Sequence, residues 1–341
     1  MKQRSLAVVG LVITVVCLYW AFRGIHYRQV LDTIGNVDYR WAPLIFGSTL
    51  LSIWLRAYRW QVMLTPIRRV TLASAYSATM IGFMANNVLP MRLGEVVRAY
   101  SLGRNSRVSR SSAFATIVVE RAFDLVALLL FLAVLLLQYS FAPWLETLGY
   151  FALGVCILMF GVMALARWKR HVAVKVFRFF LRPLPHALGE RLDDLFHKFL
   201  DGFEVLARGH HILWVSVLSL AIWFAVAGSF YFTLVTFRLD LPPTASFVLM
   251  VVCALGVMLP SGPGFVGTFE VAAKYGLLLF NVSEDVAVSY ALFYHAVQFV
   301  PVTLLGFYHL WRENFSLSRA VEGDGDPSES PLEAESERQT P

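Results

Sequence analysis

Two stretches of this chain carry helix breakers inside apolar surroundings: GFMANNVLPMRLGE over 82–95 and VMLPSGPGFVGTFE over 257–270. Each runs Leu-Pro, then glycine, then a carboxylate. Proline and glycine interrupt a helix, and interrupted backbone at membrane depth persists only where protein buries it or it lines a wet cavity. A pair of such segments at matching places in two halves of a chain points to a transport site near the bilayer midplane. Ordinary surface loops would have polar flanks, whereas these flanks are apolar.

Composition sets the medium. Of 341 residues, 57% are hydrophobic and 15% charged, and the mean hydropathy is +0.62. A soluble domain carries about 25% charged residues, so the chain is expected to be an all-α, polytopic membrane protein. The net charge of +6 is modest, and its basic residues flank apolar segments as orientation signals do. Nucleic acid is not implied as a partner. Cys17, Cys156 and Cys253 lie in apolar runs without ligand spacing, which gives neither a disulfide framework nor a metal site. The first apolar run, 5–22, lacks a small-x-small cleavage site and is expected to stay as an uncleaved span.

A span needs about 20 apolar residues. Segments 5–22, 41–64, 113–138, 148–166, 211–237 and 286–311 qualify, and 72–90 and 244–281 hold the two motifs. Arg68 and Arg69 precede 72–90, and Arg92, Arg98, Arg104, Arg107 and Arg110 follow it. Basic loops prefer the cytoplasm, so this segment should dip in and return to the same side. Loop 139–147 has no Lys or Arg and should face out; loop 167–210 has nine and should face in. Loop 23–40, with Arg23, Arg28 and Arg40, runs against the pattern. Segment 244–281 should then dip from outside. The expected architecture is about six full spans plus two re-entrant helical hairpins, with both termini cytoplasmic, in the cytoplasmic (inner) membrane. Span, hairpin and span recur over 41–138 and 211–311 in opposite orientation, which is an inverted-topology repeat. Residues 1–315 thus make one transmembrane domain. Within it, 167–210 form either amphipathic helices on anionic lipid heads or a plain helical loop. Residues 316–341 make an acidic, disordered cytoplasmic tail.

Ionisable groups inside a membrane cost roughly 2.5–3.5 kcal/mol each and default to functional candidates. Glu120, Arg121 and Asp124 lie in 113–138. At about 1.5 Å per residue, Asp124 is about 16 Å below Ala113, near the midplane. Either these charges tie the span to its neighbours, with Arg121 pairing Asp124 at i,i+3, or they line a cavity that meets a polar headgroup or a coupling ion. The candidate substrate-binding set joins them to Asn86, Asn87, Pro90, Arg92, Glu95 and Arg98 around the first motif. Pro260, Gly262, Gly264 and Glu270 complete it from the second. A helix restarting after each proline (near 265–268 in the second motif, with Ser261 or Thr268 as cap) would present free N–H groups to a phosphate. Glu95 and Glu270 are then either dipole partners or substrate contacts. Arg59 is expected to snorkel to the interface, and Arg56 to pair with Glu95, Glu120 or Asp124. His295 and Gln298 are expected to act as helix–helix glue.

The segments GFMANNVLPMRLGEVVRAY (82–100), VVERAFD (118–124) and LPSGPGFVGTFE (259–270), in this order, resemble the flippase-like membrane domain of bacterial lysylphosphatidylglycerol synthases. The likeness covers about residues 5–311. It implies translocation of a lipid, with anionic or phosphate-bearing membrane lipids as partners. The soluble aminoacyl-transfer domain of the bifunctional members is not expected in this chain, whose short acidic tail follows residue 315. Two other functions remain open from the residues alone. One is a membrane enzyme that modifies a lipid, with Glu120 or Asp124 as base. The other is an accessory subunit of a lipid-synthesising enzyme. The chain shows no P-loop, metal cluster or nucleophile–base pair, so no cofactor and no enzymatic activity are expected.

Overall fold

The computed structural model describes residues 2–89, 93–106, 108–138, 211–258 and 261–314, together with scattered residues between 150 and 197. Every regular element among them is helical. The first half contains α1 (Lys2–Phe22), α2 (Tyr27–Gly35), α3 (Ala42–Leu64), α4 (Leu72–Val88), α5 (Gly94–Ser106) and α6 (Arg110–Gln138). The second contains α7 (His211–Thr236), α8 (Thr244–Gly256), a 3-10 turn (Pro263–Phe265), α9 (Thr268–Leu278) and α10 (Glu284–Arg312). Five of the six expected spans coincide with α1, α3, α6, α7 and α10. Most of the sixth, 148–166, lies outside the described residues, as do loop 139–147, most of 167–210 and the acidic tail. Helix α2 in loop 23–40 was not expected. It buries Val30 against Val288, and the His26 N–H donates to Asp285 Oδ1 at 2.9 Å where α10 begins.

The two motifs are the tips of two hairpins. α4 and α5 pack antiparallel through Gly82 and Gly94, whose backbones meet. α8 and α9 do the same, with Gly256 against Ala272 and Gly276 against Leu249. At about 1.5 Å per residue, the 13 residues of α8 and the 11 of α9 rise roughly 20 and 16 Å. Both fall short of a hydrocarbon core of about 30 Å. By length and composition, α7 and α10 can cross one.

Packing follows a two-fold pattern. α3 lies along α7, and Trp41 stacks on Phe232 at one end while Arg59 reaches Ser219 at the other. Sequence numbers rise on one helix as they fall on the other, so the two are antiparallel. α4 packs on α10 as α8 packs on α6, and α5 packs on α6 as α9 packs on α10. Exchange of α3–α6 with α7–α10 therefore preserves these neighbours, as an inverted repeat requires, while α1 and α2 pack on α9 and α10 outside that pattern. The helix–helix contacts use small residues, which is how helices approach closely without a hydrophobic driving force.

Gly94 shows how tight the first hairpin is. A Cβ there would stand 2.0 Å from the Gly82 carbonyl oxygen and 2.6 Å from the Asn86 side chain. Backbone faces backbone, so neither side can yield. Gly94→Ala should lower stability by at least about 3 kcal/mol, the upper range for overpacking. Gly47→Ala, where nothing lies within 4 Å, should be neutral or stabilising because alanine favours the helix by up to about 1 kcal/mol. Thermal unfolding of the two purified variants in one detergent checks both.

A charged cavity between two hairpins

Charge gathers where α3, α5 and α6 converge. Asp124, near the middle of α6, receives Arg59 Nη1 at 2.6 Å on Oδ1 and Arg56 Nη1 at 3.1 Å on Oδ2. Glu120, one turn away, receives Arg121 Nη2 at 2.9 Å, Arg98 Nη1 at 3.0 Å and Arg59 Nη2 at 3.3 Å, all on Oε1. Arg121 also lies 3.7 Å from Asp124 and 3.8 Å from Glu95. Among the described residues, four guanidiniums thus face three carboxylates and leave one positive charge unmatched. Arg59 is 0% exposed, because Ser219 and both carboxylates hold it inside. The expectation that it snorkels is wrong: it is the centre of the network. Arg56 pairs with Asp124 and sits over the Trp223 ring at 5.5 Å. Arg98 stacks on Trp60 at 3.9 Å behind Glu120.

Beside this network is a cavity of about 490 Å³, within the usual range for small-molecule sites. Arg56, Arg121 and Asp124 line its charged end, and the Trp223 indole beside them has an N–H without a hydrogen-bond partner among the described residues. Phe83, Leu128, Phe230 and Met250 give it apolar walls, and Asn87, Gly264, His295 and Gln298 add polar groups from both hairpins and α10. Arg121 is the accessible cation, with 45% of its side chain exposed.

The sequence candidates divide accordingly. Asn87, Arg121, Asp124 and Gly264 reach the cavity. Glu95, Arg98 and Glu120 join the charge network but do not line it. Asn86 turns instead to the hairpin: its Oδ1 accepts from the Gly94 N–H at 2.9 Å. Gly262 donates its N–H to Thr14 Oγ1 on α1 at 2.8 Å. Pro90, Arg92 and Pro260 lie outside the described residues.

At each helix restart one N–H already has a side-chain partner. Asn86 holds the leading N–H of α5. α9 begins at Thr268, and its N-cap is Gly267 rather than Ser261 or Thr268, because the Glu270 carboxylate accepts the Gly267 N–H at 2.6 Å. Each restart therefore has one N–H held by a side chain of its own motif. His295 and Gln298 do join helices as expected, His295 to Glu270 on α9 and Gln298 to Thr49 on α3, and they also line the cavity, which sequence reasoning missed. Their spacing of three places both on one face of α10, the one signal available.

Together the fold and cavity define a polytopic helical membrane protein with a mid-helix polar site between two hairpins. The chain belongs to the lysylphosphatidylglycerol synthase TM region family, whose sequence profile matches residues 7–306. It is similar to the glycosyltransferase AglD of Haloferax volcanii, 26% identical across 94% of this chain and 56% of that protein. The chain therefore spans little more than half of AglD. UPF0104 membrane proteins are also similar. One from Methanocaldococcus jannaschii is 26% identical over 65% of this chain and 90% of its own length. One from Methanothermobacter thermautotrophicus is 22% identical over 87% and 92%.

Proposed function

We propose that the protein moves the headgroup of an anionic lipid across the cytoplasmic membrane through this cavity, with both termini on the cytoplasmic side and each hairpin entering from its own face. The observation that carries the proposal is a site with guanidinium at one end and apolar walls beyond it, placed between two halves related by inversion. The network's one unmatched positive charge suits a headgroup with one negative charge, such as a phosphodiester. An isolated ion in hydrocarbon would face a cost of tens of kcal/mol; charge-assisted hydrogen bonds from Arg56 and Arg121 offset much of it. The acyl chains stay in the bilayer.

The test is purified protein in vesicles with fluorescent phosphatidylglycerol or phosphatidylcholine in one leaflet. Faster exchange of phosphatidylglycerol than of the zwitterionic lipid supports the proposal. No exchange of either counts against it. The likeness to a protein named glycosyltransferase favours one second reading, in which the chain serves a lipid-modifying enzyme. Stable co-purification with such an enzyme, without exchange activity in vesicles, would support it.

A further inference from the structure

In each half, a side-chain contact through a buried carboxylate joins the second helix of the hairpin to the span that follows, beside the more exposed pairs Glu95–Arg121 and Lys274–Glu284. In the first half it is Arg98 to Glu120, from α5 to α6. In the second it is Glu270 to His295, from α9 to α10. The contacts differ in kind. A guanidinium stays charged at every physiological pH, whereas an imidazole gains and loses its proton in that range.

Hydrogen-bond bookkeeping fixes the proton count of the second contact. His295 Nε2 lies 2.9 Å from the Gly264 carbonyl oxygen, which can only accept, so Nε2 carries hydrogen. His295 Nδ1 lies 2.5 Å from Glu270 Oε1. Two lone pairs cannot meet at that distance, so a second proton lies between them. Glu270 Oε2 accepts the Gly267 N–H at 2.6 Å, which leaves Oε1 as the oxygen facing the imidazole. The pair is also enclosed: 15% of the His295 side chain and 4% of that of Glu270 are exposed.

We propose that His295 and Glu270 form a proton-binding site that latches the tip of the second hairpin onto α10, with the bound proton closing the cavity wall. When the proton leaves, the single hydrogen remaining on the imidazole serves either Glu270 or Gly264. With hydrogen on Nδ1, the Nε2 lone pair faces the Gly264 carbonyl and the tip is released. With hydrogen on Nε2, Nδ1 faces a carboxylate and α9 is pushed from α10. Gly264 and Phe265 take φ of 67° and 62° in that tip, and left-handed backbone at a non-glycine residue needs holding. Both residues and His295 line the cavity, so the latch bears directly on it.

Few other titratable groups face the pair. The Cys17 thiol on α1 and the Cys253 thiol on α8 lie in range of Glu270. On α10, the Tyr294 hydroxyl bonds Ser229 on α7. Lys274 on α9 pairs with Glu284 at 2.6 Å and with the Ala21 carbonyl at 3.3 Å. Across the cavity, α3 and α6 offer Arg56, Arg121 and Asp124, which bind one another. The α4 side presents the neutral Asn87.

The assignment of this proton as a transport coupling ion rests on the translocation reading, but the latch does not, and its test needs no transport. Hydrogen exchange of a peptide covering 262–270 is followed in the full-length protein in detergent from pH 6 to 9, with each rate divided by its intrinsic value. In the wild type, protection should fall at least tenfold as pH rises. Glu270→Gln supplies a permanent N–H to Nδ1 and still accepts from Gly267, so it should stay protected across the range. His295→Phe should be unprotected throughout. Wild-type protection that ignores pH, or a Glu270→Gln variant that loses protection with pH as the wild type does, would overturn the latch and leave the translocation reading standing.

Discussion

Asp124→Ala should destabilise the protein by about 3–5 kcal/mol, the cost of removing one partner from a buried ion pair. Asp124 holds both Arg56 and Arg59, and both are buried. Without it, four guanidiniums face only Glu95 and Glu120, and the unmatched charge rises from one to two. Among the described residues, Arg56 then keeps the face of Trp223. Asp124→Asn should fare little better, because the amide retains the shape but not the charge. The double variant Arg56→Leu with Asp124→Leu removes one charge of each sign and should regain much of the loss. Unfolding midpoints from fluorescence-detected size exclusion measure all three. A loss below about 1 kcal/mol for Asp124→Ala, the range of an exposed pair, would place this network in water rather than in protein.

Arg121→Gln should have the opposite profile. With 45% of its side chain exposed, Arg121 leaves Asp124 paired with Arg56 and Arg59 and Glu120 paired with Arg98 and Arg59, while the partly exposed Glu95 loses its contact with Arg121 to solvent. Stability should change little. Translocation of the anionic probe should fall roughly 10- to 100-fold, since a hydrogen bond to a charged group is worth about 1.5–3 kcal/mol. Arg121→Lys should retain part of the rate, because a point charge remains without the planar fork. The flux of phosphatidylglycerol in vesicles, normalised to folded protein, separates the three.

Much of this architecture was legible in the chain. Leu-Pro and glycine at 89–94 and 259–267 marked the breaks, and the apolar runs marked five long helices nearly to the residue, because burial in a membrane demands an uninterrupted apolar stretch. The charged span 113–138 announced itself for the same reason: Glu120, Arg121 and Asp124 had to find partners. Partner choice was less legible. Arg59 seemed close enough to the end of α3 to reach water, but Asp124 and Ser219 lie on helices far away in sequence and capture it. At the helix ends, Asn86 and Glu270 also close their own hairpins at short range, contacts that only the folded chain reveals. His295 was discounted because a lone histidine in a span carries no pattern. Its meaning comes from Glu270 and Gly264, which only the folded chain brings to its two ring nitrogens.

The central claim is that the cavity between the hairpins receives an anionic headgroup. A cryo-EM structure of the protein in phosphatidylglycerol nanodiscs tests it most directly. The account predicts a lipid phosphate within about 3 Å of the Arg121 or Arg56 guanidinium, the distance of a charge-assisted hydrogen bond, with its acyl chains leaving along the apolar wall. A cavity that holds only acyl chain, with every phosphate at the membrane surface, would contradict it.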